Sequence, residues 1–289
     1  MRYPDYSWKL KEVICLPVAV ALAISFFVLD ASAQVETLSN ANSTVTIDTS
    51  GQDGMNSWVI GGQNVLNQQW FWFRTGATGP QSSIDTLGTP ANSLLAPNFL
   101  QSTYSGNPNF SLQVVYSLVG GSAGSGASDL SEQIKIQNLT GGALDFHFFQ
   151  YANFVPGPGG DLVQLSQNAR GLYNEALVTS GAMTISEDVD TALSPGANEG
   201  SAAQYDSTLF NLNNTPGLLL NDVASSGPGG TNTWAFEWDK SIAVGGTLII
   251  SKDLNVVVAA SAPEPGSLAL ASMGILAFGL LRRLRDCRK

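Results

Sequence analysis

The middle of this 289-residue chain predicts an all-β fold, an antiparallel β-sandwich or jelly roll, on three observations. Its dominant hydrophobic period is two, its apolar runs are short and separated by Gly, Pro, Asn and Ser clusters, and no long amphipathic helix competes with them. An N-terminal signal helix and a C-terminal transmembrane helix are expected to flank this domain. The division is 1–33 for the signal, 34–262 for the β domain and 263–289 for the tail.

The clearest strand runs through Phe110, Leu112, Val114, Tyr116 and Leu118, whose alternation with Ser111, Gln113 and Ser117 puts one apolar face on a sheet. Ile134 and Ile136 alternate with Gln133, Lys135 and Gln137. After Asn138-Leu139-Thr140-Gly141-Gly142 a new run begins at Leu144 and ends at Tyr151, which reads as a hairpin. Further strands are expected at 43–49, 58–60, 69–74, 233–239, 248–251 and 254–259. Gly120 to Gly126 reads as a flexible connector, and 181–230 as the region of long loops.

In Gln69-Trp70-Phe71-Trp72-Phe73-Arg74 the two Trp face one way and the two Phe the other, so both faces need apolar cover, as in a central sandwich strand. Core packing is the first reading and a platform for sugar rings the second. Trp234, Phe236 and Trp238 form a one-sided stripe with Glu237 and Asp239 opposite. The same two readings apply, and Trp234 and Trp238 are the candidate glycan-binding residues.

Residues 34–262 hold five basic residues, Arg74, Lys135, Arg170, Lys240 and Lys252, against eighteen acids, a formal charge of −13. Such a domain repels phosphate backbones, which argues against nucleic acid as a partner. Cys15 and Cys287 lie in the terminal segments, leaving the domain without disulfide or thiol chemistry. His147 is the one histidine, and with no Cys beside it the usual zinc set is missing; it reads as a structural side chain at a sheet surface. Gly120-Gly121-Ser122-Ala123-Gly124 matches G-x-S-x-G, but the helix that motif needs after the Ser is replaced by Ser125-Gly126. No catalytic residue is assigned and no cofactor is expected. Calcium is the one ion considered, on Glu187, Asp188 and Asp190 with Asp161 or Asp206, and a solvated acidic loop is the simpler account.

At the N-terminus Arg2, Lys9 and Lys11 precede an apolar run from Val13 to Leu29, and Ala31-Ser32-Ala33 gives the small-x-small pattern of a signal-peptidase site. At the other end, Pro263-Glu264-Pro265 leads into sixteen uncharged residues, Gly266 to Leu281. As a helix these would span roughly 24 Å, slightly short of a bilayer core of about 30 Å. Arg282, Arg283 and Arg285 can reach the headgroups and hold the tail on the cytoplasmic side.

This three-part tail, tripeptide, apolar helix and Arg-rich end, resembles the PEP-CTERM sorting signal of Gram-negative bacteria. The resemblance implies recognition by exosortase, a membrane transpeptidase-like enzyme, cleavage near Pro263, and transfer to the cell surface or its polysaccharide matrix. In that family Val often precedes the tripeptide, where this chain has Ala262. The expected function is therefore a non-enzymatic surface or matrix protein associated with exopolysaccharide, anchored transiently in the inner membrane. The alternative is a carbohydrate-binding or carbohydrate-processing β-sandwich.

Overall fold

The computed structural model describes residues 34–155, 161–181, 183–189, 196–204, 207–227, 231–259 and Met273. The signal segment and the tail from Pro263 lie outside the described residues apart from Met273, as do most of the two Gly-Pro-Gly-Gly segments. Among the described residues no helix is long and apolar enough to cross a membrane.

The strands in chain order are β1 (Val35–Asn40), β2 (Ser43–Asp48), β3 (Gly54–Ile60), β4 (Gln63–Asn64), β5 (Leu66–Thr75), β6 (Ser82–Ser83), β7 (Ala91–Ala96), β8 (Phe99–Tyr104) and β9 (Phe110–Gly120). They continue with β10 (Ala127–Asn138), β11 (Leu144–Phe154), β12 (Leu162–Gln167), β13 (Tyr173–Ser180), β14 (Met183–Asp188), β15 (Glu199–Gln204), β16 (Ser225–Ser226), β17 (Asn232–Ile242) and β18 (Thr247–Val258). A 3₁₀ turn at Ile84–Leu87 and one helix, α1 (Ser207–Asn214), complete the described elements.

Two sheets result. The first has the order β1-β2-β3-β5-β11-β17-β15, with β4 beside β3 and β6 beside β5; the second has the order β16-β12-β13-β14-β18-β10-β9-β8-β7. Pairing between the strands is antiparallel except for a short parallel contact where Gly54 and Met55 meet Gln69, and an isolated parallel bridge joins Ser201 to Val223. Gly54 has φ +57°, and a Cβ there would lie 2.3 Å from the Trp70 ring, so the approach of β3 to β5 requires a glycine.

The period-two strands appear where alternation places them, with Phe110, Leu112, Val114, Tyr116 and Leu118 all buried. The segments expected at 248–251 and 254–259 form one continuous strand, β18, because Lys252 continues the inward alternation of Ile250 and Leu254. The hairpin expected across 138–142 is corrected: β10 pairs with β9 and β18 in the second sheet, whereas β11 pairs with β5 and β17 in the first. The turn is a crossover between sheets. Asn138 builds the corner, its Nδ2 donating to Gly142 O (2.8 Å) and to Ile242 O (2.9 Å), so that two crossovers, β10 to β11 and β17 to β18, are tied together. The true hairpin of this region is β9–β10, turned by the glycine-rich connector 121–126. Within 181–230 the described residues contain β14, β15, α1 and β16 between loops.

The sheets pack through an aromatic interior. Phe110 of the second sheet meets Phe73 and Phe146 of the first at centroid distances of 5.2 and 5.0 Å. Trp58 Nε1 donates across the interface to Ser128 Oγ (3.1 Å). Trp234, Phe236 and Trp238 also face this interior, and Trp70 and Trp72 lie under α1 and the 81–87 turn on the opposite face. All four of these Trp are 0% exposed. Trp234 and Trp238, offered above as glycan-binding, present no ring face to a ligand; they are core side chains, because the stripe's apolar side turns inward and its acidic side turns out.

Candidate functional site

Three central strands, β5, β11 and β17, carry the site on the first sheet's outer face. Register aligns Arg74, His147 and Asp239 in one cross-strand row and Trp72, Phe149 and Glu237 in the next. Glu199 of β15 extends the second row beside Glu237. Alternation accounts for the grouping, since residues two apart on a strand share a face.

The geometry is close. His147 Nδ1 makes a short contact with Asp239 Oδ1 and lies 3.6 Å from Glu237 Oε1, while Nε2 is 3.7 Å from Asp145 Oδ1. Arg74 Nη2 stands 3.8 Å from Glu237 Oε1, and its guanidinium sits over the Phe149 ring. His147 is 8% exposed and Glu237 is fully buried. Glu237 Oε1, His147 Nε2 and Arg74 Nη2 are buried without a hydrogen-bond partner. Burial pushes the Glu237 carboxyl up to about 8; the Leu220 N–H opposes this, Asp239 adds to it and Arg74 opposes it. A proton therefore stays on Glu237 at neutral pH. Glu199 is likewise raised to about 7, first by burial and then by Asp222 and Asp239.

A strap from Thr215 to Val223 covers the cluster and is fastened to the cluster itself. Arg74 Nη1 donates to Leu218 O (2.7 Å), and Leu220 N donates to Glu237 Oε2 (2.9 Å). Ser201 Oγ donates to Asn221 Oδ1 (2.8 Å), and Gly217 N to Gly79 O (2.6 Å). Between the strap, α1 and β15 lies a cavity of about 160 Å³ lined by Ser201, Thr208, Asn211, Leu218 and Leu220 among others.

His147 Nδ1, a Glu237 oxygen and an Asp239 oxygen lie within 4.8 Å of one another, a set that could hold a cation. Arg74 sets a fixed positive charge against any such ion, which suits the group to moving protons instead. Of the carboxylates considered for calcium, Glu187 turns inward to Lys252 (2.9 Å) and Asp161 accepts from Asn232 (2.9 Å). Asp190 and Asp206 lie outside the described residues. Ser122 sits in the β9–β10 turn, away from these groups.

His147 was the one member of this cluster singled out in the sequence, as a structural residue. Glu237 and Asp239 entered as the back of a Trp stripe, and Arg74 as the end of an aromatic strand. The usable signal is two acids two apart, Glu237 and Asp239, on the strand expected at 233–239.

Residues 261–283 match the PEP-CTERM protein-sorting motif. The chain carries that sorting signal. It implies processing by exosortase and supports export and surface localisation. The sequence matches none of the curated proteins. Among solved structures, a protein assigned as an aldose 1-epimerase from Escherichia coli K12 is similar at TM-score 0.51 and 10% identity, over 78% of this chain and 99% of that one. A galactose mutarotase related enzyme from Lactobacillus acidophilus gives TM-score 0.51 and 8% identity, over 79% and 99%. A bacterial glucoamylase complexed with acarbose gives TM-score 0.53 and 12% identity, over 84% of this chain and 35% of that one. At these identities the likeness is one of fold. It overturns the expectation of a non-enzymatic protein, because the fold found is shared with enzymes named for sugar chemistry.

Proposed function

We propose that the exported domain is a carbohydrate-processing module whose site is Arg74, His147, Glu237 and Asp239. The observation that carries this reading is the placement of Glu237: fully buried, its carboxyl pushed up to about 8 by that burial, and set 3.6 Å from an imidazole that Asp239 orients. One group able to give a proton beside one able to take it is what opening a hemiacetal ring requires. Glu237 protonates the ring oxygen as the C1–O5 bond breaks, and the His147–Asp239 pair takes the proton of the anomeric hydroxyl. Closure on the other face of the aldehyde returns both protons, so atoms and charge balance with no further reactant. Arg74 sits where it would steady the oxygen charge that develops. The fold shared with the epimerase and the mutarotase-related enzyme lends this support.

Delivery completes the proposal. Signal peptidase cuts after Ala33, the apolar tail holds the protein briefly in the inner membrane of a Gram-negative cell, and cleavage near Pro263 releases it towards the exopolysaccharide. Anomer interconversion of freshly dissolved aldoses, followed by NMR, is the test. The full chain is expected to accelerate it, and Glu237→Gln to lose roughly 10²- to 10⁴-fold of that rate. Saccharide binding without turnover would reduce the module to a binding one, and neither binding nor turnover of any sugar would overturn it.

A further inference from the structure

The site is covered as it stands. Glu237 is 0% exposed and Arg74 2%, so no sugar can touch the carboxyl or the guanidinium while the strap lies over them. What the strap presents to them is backbone. Leu218 O accepts from Arg74 Nη1 and Leu220 N donates to Glu237 Oε2, so the two groups already hold an oxygen and a donor. A sugar oxygen facing the guanidinium and a sugar hydroxyl donating to the carboxyl would make the same two contacts. The backbone of the strap stands in their place.

The strap has the features of a short piece that moves. Gly217 has φ +66° and Asp222 φ +56°, both in the left-handed region, and they bracket 218–221. Outside the glycines, only Ala41 shares that conformation with Asp222 among the described residues. Residues at the ends of a segment are the ones that absorb the φ/ψ change of a hinge. The ties to the rest of the domain lie at or next to those ends: Gly217 N donates to Gly79 O, Ala202 N to Val223 O (2.7 Å), and Ser201 Oγ to Asn221 Oδ1. Gln81, with its amide turned to suit both partners, joins Thr215 O (3.0 Å) and Leu218 N (2.9 Å). Between the ends the Leu220 side chain is tucked in at 6% exposed, while Leu219 stands out at 59%. The cavity of about 160 Å³ beside Leu218 and Leu220 leaves that flank unpacked, so lifting the segment gives up fewer contacts.

We propose that 218–221 is a lid, seated in this structure, which lifts about Gly217 and Asp222 to admit a ligand that takes over the contacts of Leu218 O and Leu220 N. The identity of that ligand as a sugar rests on the carbohydrate reading above; the motion rests on the strap alone. Lifting uncovers Arg74 and Glu237 together, because two bonds of one short segment cover both. The ligand therefore competes with the strap, and its apparent affinity is lowered by the fraction of time the lid is seated.

Amide exchange of the full chain in detergent, followed by mass spectrometry, is the first measurement. The amides of 218–221 are expected to exchange roughly 10²-fold faster than those of β11, through local opening. Asn221→Ala, which removes the tie to Ser201, should speed them a further ~5-fold and leave β11 unchanged. The second measurement uses a lock. Ser201→Cys with Asn221→Cys, in a chain that also carries Cys15→Ser and Cys287→Ser, brings two sulfurs together where Oγ and Oδ1 now meet. Sugar turnover by the oxidised pair is expected to fall about 10-fold or more, and to return on reduction. Exchange of 218–221 only together with β11, or an oxidised lock as active as the reduced one, would overturn the inference. Fast exchange at 218–221 with no sugar turned over by any form would keep the lid and overturn the carbohydrate reading.

Discussion

The strands β5, β11 and β17 carry one charged cluster on their outer face and meet another on their inner face, carried by β10, β14 and β18 of the second sheet, and the two are built on opposite terms. On the inner face Lys252 Nζ reaches Glu132 at 2.6 Å and Glu187 at 2.9 Å, all three side chains 0% exposed. Gln69 Nε2 donates to Glu132 (2.8 Å), and Gln150 Nε2 and Trp234 Nε1 to Glu187. Burial would lower the Lys252 ammonium, but the two carboxylates outweigh it and raise it; burial likewise keeps Glu132 raised despite Lys252. On the outer face the nearest cation, Arg74, stands 3.8 Å from Glu237, too far for the close ion pairing that Lys252 makes. A closed cluster fixes how two sheets meet, whereas an open one is able to exchange a proton or a ligand.

Breaking the closed cluster gives the largest effect. Lys252→Met would leave two carboxylates buried against each other, a change that costs about 3–5 kcal/mol when one partner of a buried ion pair is removed. Chemical unfolding of the full chain should show that loss. Adding Glu132→Gln to the same chain should recover part of it, because the uncompensated charge is then removed. A loss below about 1 kcal/mol would mean that the Lys252 ammonium does not bridge the two acids.

The open cluster is sharpened by pH. Burial keeps the folded Glu237 proton up to about 8, whereas the ordinary Glu value is 4.5, and Glu199 is displaced the same way to about 7. Between these values the native state binds protons that the unfolded chain has released, so stability must fall as pH rises. The contribution is fully present below about 4.5 and is gone above about 8. Unfolding curves across that window should show the decline, and Glu237→Gln should flatten it. An unchanged slope in the variant would remove Glu237 from the account. Lys252→Met should leave this slope in place, which separates the two faces.

Most of the fold was legible because period-two alternation is a local property: Phe110 to Leu118 and Leu144 to Tyr151 stand where they were expected. What escaped was decided between distant segments. Asn138-Leu139-Thr140-Gly141-Gly142 has hairpin chemistry, but its partner is the corner at Ile242, a hundred residues away, and no local pattern encodes that. The same limit hid the site. Arg74, His147 and Glu237 come from three strands, and only register puts them in neighbouring rows. The Trp234-Phe236-Trp238 stripe was visible in the sequence, but which of its two faces looks inward was settled by the partner sheet.

That stripe gives the finest comparison, between two buried indoles of one strand. Trp234 Nε1 donates to Glu187 and belongs to the closed cluster, whereas Trp238 Nε1 is buried with no partner. Substituting each by Phe removes a similar volume and differs in whether a hydrogen bond to a charged acceptor is lost. Trp234→Phe should therefore cost roughly 1.5–3 kcal/mol more than the packing change alone, and Trp238→Phe the packing change only. The difference in unfolding free energy between the two variants reads this directly. It should shrink to about 0.5–1.5 kcal/mol in a Glu187→Gln, Lys252→Met background, where the acceptor has lost its charge and keeps only a neutral amide oxygen. A gap of undiminished size there would place it in ring packing, at Phe154 for Trp234 and Phe148 for Trp238, instead of in the bond to Glu187.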